Sequence, residues 1–214
     1  KLKWIKSDIQ HKINLSIFFI ISFFLSILII KNLKVNFLVN TILVTSALYL
    51  FLVTSREFLI KGINNLAQNL AHFGFSLLIL SILFNNFFST EVITNLKIGE
   101  TFKSEKIHIT FESIEKKEIK NYSSIIGKIN INDPKGLNQT LEPELRIYNQ
   151  PNIVTSEADI KTNLFSDKFI TMNLVQNQDY FNIRYQIKPF MIWIWLSVLL
   201  ICSGGLISLF RKKI

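Results

Sequence analysis

Four stretches of this chain carry no charged side chain: Ile13–Ile30, Val35–Ser55, Gly62–Thr90 and Pro189–Phe210. A helix needs about 20 apolar residues to cross a bilayer, because no backbone group can stay unpaired in hydrocarbon. The runs predict spans over about 13–30, 35–55 and 66–88, and a fourth that opens at 189 and ends in a basic tail at 214. Between the third and fourth spans the pattern changes. Lys106–Glu112 and Asp179–Ile187 alternate apolar and polar positions, which is strand periodicity. Ser123–Asn132, Leu141–Tyr148 and Lys168–Val175 read as further strands, set apart by Asp133-Pro134-Lys135-Gly136 and Gln150-Pro151-Asn152. Five to seven short strands suggest a small sandwich or barrel. The expected fold class is a polytopic α-helical membrane protein of four transmembrane helices with an inserted extracytoplasmic β-rich domain. The expected domains are 1–90, 91–188 and 189–214.

Charge refines this picture. The first apolar run follows Lys1, Lys3, Lys6 and Lys12 but is too long for a signal peptide. Ile29-Ile30-Lys31-Asn32 also offers no small-residue cleavage site. The chain opens on Lys1 instead of Met, which reads as the C-terminal part of a longer protein. With an even number of spans, both termini and the loop between spans two and three share one side. That side carries nine Lys and Arg (Lys1, Lys3, Lys6, Lys12, Arg56, Lys61, Arg211, Lys212 and Lys213), against Lys31 and Lys34 opposite. Basic residues favour cytoplasmic flanks, so Glu91–Lys188 is expected outside the cytoplasm. The same clustering accounts for the net charge of +9 and argues for a lipid partner and no nucleic acid. A single cysteine, Cys202, excludes an internal disulfide and a CxxC pair. Beside Ser203, Gly204 and Gly205 it reads as a small packed residue of a helix interface.

The third span holds the one ionisable group within the membrane, His72. Asn65, Gln68, Asn69, His72 and Ser76 recur three and four apart, which predicts one polar face. Such a face must meet the helix bundle or a cofactor, because lipid would leave it unpaired. A neutral imidazole can give one nitrogen to a metal while the other donates to an acceptor, and Gln68, one turn away, is a candidate acceptor. Interhelical hydrogen bonding explains the same stripe equally well. His108 falls on the polar side of its strand and His11 in a basic segment, and both read as solvated.

Leu70-Ala71-His72-Phe73-Gly74 resembles the "LAHxG" of the CcmF-type cytochrome c biogenesis proteins. Gly99-Glu100-Thr101-Phe102 resembles the glycine-bearing start of that family's last extracytoplasmic domain. Pro143-Glu144-Leu145-Arg146-Ile147-Tyr148 is similar to its "PE-R-Y" strand, and Thr155-Ser156-Glu157-Ala158-Asp159-Ile160 to its "TEA" segment. Lys188-Pro189-Phe190-Met191-Ile192-Trp193-Ile194-Trp195, followed by Gly204-Gly205, resembles its final span. Five motifs in order across most of the chain carry the likeness.

The resemblance implies a haem lyase subunit in a membrane complex, one that takes haem from a haem chaperone and attaches it to the CxxCH cysteines of apocytochrome c. It maps one axial ligand of a membrane-embedded haem b onto His72. It also implies that the partner histidine, the extracytoplasmic haem ligands and the tryptophan-rich segment lie upstream. Trp193 and Trp195 are not that segment; they open a span where aromatic belts sit. Glu142, Glu144, Arg146 and Tyr148 alternate, so on one strand they would share a face. That face reads either as a docking patch for haem chaperone or apocytochrome c, or as a solvated, ion-paired surface. No catalytic acid, base or nucleophile is found. The rival class is a non-enzymatic scaffold whose β-domain recruits partners. A bacterial inner membrane with the domain in the periplasm fits, as does a mitochondrial inner membrane.

The charge asymmetry yields a topology test. A cysteine at Asn138 should react with an impermeant thiol reagent added outside intact cells, and one at Ser7 should not. The reverse pattern would invert the orientation.

Overall fold

The computed structural model describes residues 9–61, 65–105, 107–132, 138–175 and 179–210. The basic terminal positions and the Asp133–Gly136 turn signal lie outside the described residues. The chain divides into two compact units, Lys1–Phe88 with Phe190–Ile214, and Ser89–Pro189.

Among the described residues the first unit holds four helices: α1 (Ile9–Ile30), α2 (Phe37–Lys61), α3 (Leu66–Phe88) and α4 (Met191–Phe210). Each is long and apolar enough to cross a membrane. The second helix runs past the charge-free stretch through Arg56 and Glu57. A charge near a span end reaches the interface, so it does not stop backbone hydrogen bonding.

Lipid tails are as apolar as leucine, so burial does not drive these helices together; close packing and polar contacts do. In α1, Ser22, Ser26 and Ile30 form the buried stripe at four-residue spacing. Ser26 Oγ meets Thr45 Oγ1 of α2 at 2.7 Å. Between α2 and α3, Thr54 Oγ1 meets Ser76 Oγ at 2.7 Å, and the Phe73 ring lies 5.6 Å from each of Phe51 and Phe58. Between α3 and α4 the backbones themselves touch. A Cβ on Gly204 would stand 2.7 Å from the Ala67 carbonyl oxygen and 2.9 Å from the Ala71 nitrogen; one on Gly74 would stand 3.0 Å from the Ser197 carbonyl oxygen. Just before α4, Phe190 adopts a φ of 60°, a left-handed conformation that costs a non-glycine residue about 1–2 kcal/mol. Its carbonyl accepts from Trp193 and Ile194, and its ring packs 5.5 Å from Phe84 of α3, which offsets that strain.

The second unit is a β-sandwich. Its strands are β1 (Thr90–Leu96), β2 (Thr101–Lys103), β3 (His108–Ile119), β4 (Tyr122–Asn132), β5 (Asn138–Leu141), β6 (Glu144–Asn149), β7 (Asn152–Glu157), β8 (Asp159–Thr162), β9 (Ser166–Leu174) and β10 (Phe181–Pro189). One sheet runs β1-β10-β9-β8; the other runs β2-β3-β4-β6-β7, with β5 also on β4. Ile109, Phe111, Ile129, Leu141, Leu145, Ile170, Met172 and Ile183 are fully buried between them, and the Phe111 and Phe181 rings meet edge to face at 5.2 Å.

Among the described residues, ten strands replace the five to seven expected, and the expected strand Leu141–Tyr148 is two. Pro143 has no N–H to give a ladder; it is buried where β5 ends and β6 begins. The third strand is also longer than its alternation suggested. A bulge between Phe111 and Ser113 inserts Glu112, which shifts the two-residue period by one so that Ile114 still packs on the core. At the β1–β2 turn, Gly99 takes a φ of 88° and donates to the Phe111 carbonyl at 2.7 Å.

The two adjacent glycines of α4 give a paired test. Alanine favours a helix over glycine by about 1 kcal/mol, so Gly205→Ala, with no atom within 4 Å of its new Cβ, should be neutral or stabilising. Gly204→Ala should lose about 1–3 kcal/mol, because backbone atoms cannot step aside as a flexible side chain can. Thermal unfolding of the chain in detergent reads both.

Candidate functional site

The polar stripe of α3 covers about 100° of helix surface, and the bundle divides it. Asn69 and Ser76 turn inward and are buried, while Asn65, Gln68 and His72 are exposed. The single polar face expected from spacing is therefore two edges of one arc. The reason lies in the neighbours. On this stretch of the helix α2 is met by Ser76 and Phe73, and contact with α4 runs through Ala67, Ala71 and Gly74. His72 lies between the two contacts, on a face that neither neighbour covers.

Among the described residues, His72 takes part in no hydrogen bond. Gln68 instead lines a groove of about 360 Å³ between α3 and α4, with Asn65, Ala71, Gly205 and Ser208. No hydrogen bond joins Gln68 to His72. Asn65 and Gln68 nonetheless leave polar groups beside His72, in a segment where lipid could not pair them. Among the described residues no group of three or more His, Cys, Asp or Glu is placed to hold a metal ion. His108 is exposed on β3, His11 stands in the first turn of α1, and Cys202 is exposed on α4 and not packed in an interface as expected.

The second candidate, on the sandwich, is partly assembled. Glu144, Arg146 and Tyr148 share the outer face of β6. Glu142 does not join them: it sits in the β5–β6 break, where its N–H donates to Asp159 Oδ2 at 2.7 Å. The Glu144 carboxylate accepts from Arg146 Nη2 at 2.8 Å and from Ser124 Oγ at 2.7 Å. The Arg146 guanidinium, and then Ser124, hold this carboxyl below the usual carboxylate range against the opposing effect of burial. Glu144, followed by Tyr148, raises the pKa of Arg146 in turn. The guanidinium also lies 5.2 Å from the Tyr122 ring centroid, and Tyr122 packs 5.2 Å from Tyr148. Register supplies neighbours that sequence reasoning missed: Tyr122 and Ser124 enter from β4, Ile119 and Lys117 from β3, and Ile153 and Thr155 from β7. Their only signal in the sequence was alternation, which gives a face but no partner.

These features define a class: helical membrane proteins that carry a β-sandwich between their third and final described spans. Residues 87–189 match the CcmF C-terminal β-sandwich family, and most of the chain is similar to CcmF-type cytochrome c biogenesis proteins. It is 26% identical over 165 residues to cytochrome c-type biogenesis protein CcmF of Haemophilus influenzae, covering 75% of this chain and 26% of that protein. It is 31% identical over 123 residues to cytochrome c-type biogenesis protein ccl1 of Rhodobacter capsulatus, covering 58% of this chain and 19% of the relative. The solved structure of a protein titled Cytochrome c Heme Lyase CcmF superposes with a TM-score of 0.67 at 15% identity, over 96% of this chain and 35% of that one. At that identity the likeness is one of fold. The chain spans about a quarter of the length of the curated relatives it matches.

The Glu144 network gives a pH prediction. A carboxylate whose folded pKa is lowered stabilises the fold above its unfolded pKa, and loses that contribution as pH falls through the folded value. Glu144→Gln should therefore lower stability near neutral pH by about 1 kcal/mol, a partly exposed charge-assisted bond. The gap to the parent should close below the ordinary carboxylate range. Thermal melts across pH, followed by β-region circular dichroism, measure it.

Proposed function

We propose that the chain is the C-terminal portion of a haem lyase subunit of cytochrome c maturation in a bacterial inner membrane. His72 gives one axial ligand to a membrane-embedded haem b. The β-sandwich stands in the periplasm, where the outer face of β6 docks haem chaperone or apocytochrome c. Other subunits of the maturation complex complete the site.

One observation carries the haem assignment: an imidazole stands exposed on the uncovered face of a membrane-spanning helix. In hydrocarbon such a group costs energy unless it is paired, and no described residue pairs it. The likeness to CcmF-type proteins supplies the cofactor class. The donor set fits a haem iron, whose equatorial positions the porphyrin fills, better than a bare ion that needs three or four protein ligands. When bound, the group would supply one-electron redox chemistry. The chain's own part is positional. Helix α3 fixes where the imidazole stands through its contacts with α2 and α4, and Gln68 and Asn65 keep polar groups beside it. The second axial ligand belongs to another segment or subunit.

In the assembled maturation system, His72→Ala should abolish or strongly alter the absorption bands of the embedded haem at near-normal protein abundance. His72→Gln separates the readings. Interhelical hydrogen bonding would tolerate Gln and not Ala, whereas ligation fails with both. Imidazole added to the Ala variant should partly restore the spectrum. A normal spectrum and normal cytochrome c maturation in the Ala variant would reduce His72 to a packing residue.

A further inference from the structure

We propose that the β8–β9 hairpin tip, Leu164-Phe165, is a membrane-interface anchor of the sandwich, and that its occupant is the lipid surface. The argument begins with strand register. Ser166 stands opposite Pro189, and Thr90 opposite Ile187. One end of the four-stranded sheet thus gathers the first residue of β1, the last of β10 and the β8–β9 turn. Phe88 ends α3 two residues before Thr90, and α4 begins at Met191, two residues after Pro189. Two extended residues reach at most about 7 Å, so connectivity alone ties this end of the sheet to the bilayer at two points. The hairpin tip lies one strand over from β10 and projects beyond the Ser166–Pro189 pair.

The tip is built to present apolar groups. Asn163 Oδ1 accepts from the N–H groups of Phe165 at 2.9 Å and Ser166 at 2.8 Å, and Asn163 N–H donates to the Ser166 carbonyl at 3.0 Å. The turn is therefore closed by its own polar atoms, while Phe165 is 64% exposed and Leu164 is 54% exposed. Scattered exposed apolar residues need no explanation, but these two are adjacent, at a tip, at the tethered end. Lys161 and Lys168 behind them are taken up by β5: Lys161 Nζ donates to the Thr140 carbonyl at 2.6 Å and Lys168 Nζ to Gln139 Oε1 at 3.0 Å. The tip therefore enters the apolar boundary through its two apolar side chains, as interfacial segments with aromatic residues do.

The test uses the whole chain in lipid nanodiscs, in a Cys202→Ser background. Phe165→Cys carries an environment-sensitive fluorophore. Ile153→Cys, 49% exposed on β7, carries the same dye as the comparison. Lipids bearing a nitroxide near the headgroup end of the acyl chain should quench about half or more of the emission at position 165, consistent with entry of about 5–10 Å into the boundary. They should leave position 153 nearly unchanged. Leu164→Cys should behave like Phe165→Cys. Equal quenching at 165 and 153, absence of quenching at 165, or protection of 165 without lipid quenching (a protein cover) would each overturn the proposal.

Discussion

Hydrocarbon offers no water to a backbone N–H or C=O, so each segment that enters it must close its own hydrogen bonds. That constraint makes α1 to α4 helices before any side chain is considered, and it also removes water as the force that gathers them. What remains is fit. The Gly204 Cα passes so close to Ala67 and Ala71 that a methyl group cannot be added without displacing backbone, and single hydroxyl pairs tie α1 to α2 and α2 to α3. An interhelical hydrogen bond averages only about 0.6 kcal/mol. The steric match of small residues therefore carries more of the association than polar glue does, and small faults at a glycine outweigh the loss of one hydroxyl.

The same constraint makes α3 informative. Its inward edge spends Ser76 on Thr54 and buries Asn69, as a packed helix should. Its outward edge keeps Asn65, Gln68 and His72 where neither neighbour covers them. A sequence under pressure only to span would put leucine there. The cost is offset only when something other than lipid covers that face, as the proposed haem would.

In the sandwich, the controlling variable is register. The Glu112 bulge changes which residues of β3 face inward after Phe111, and Pro143 divides one apolar run into two strands. Together they set the outer face on which Arg146 reaches Glu144 and Tyr122. In the other sheet, the register of β1, β10 and β9 gathers both strand–helix junctions and the Leu164-Phe165 tip at one end. Identity to the relatives is low, yet the fold is kept, because burial pattern and register tolerate many side chains that conserve apolar and polar positions.

The class of protein was legible in the sequence. Long runs without charge decide membrane helices, since the requirement is local and each helix satisfies itself. Alternation marked the β-domain for the same reason, and five ordered motifs indicated the family. Three things were not legible, and all depend on partners far away in the chain. Spacing put Asn69, Ser76, Gln68 and His72 on one face, but only the positions of α2 and α4 decided which of them is covered. Alternation put Glu142 with Glu144, Arg146 and Tyr148, but Pro143 separated it, while Tyr122, Ser124 and Lys117 joined from strands whose register no local pattern encodes. Leu164 and Phe165 read as two apolar residues in a turn, and only the pairing of Ser166 with Pro189 set them beside the junctions to the spans. A face is a property of a segment; what lies against it is a property of the fold.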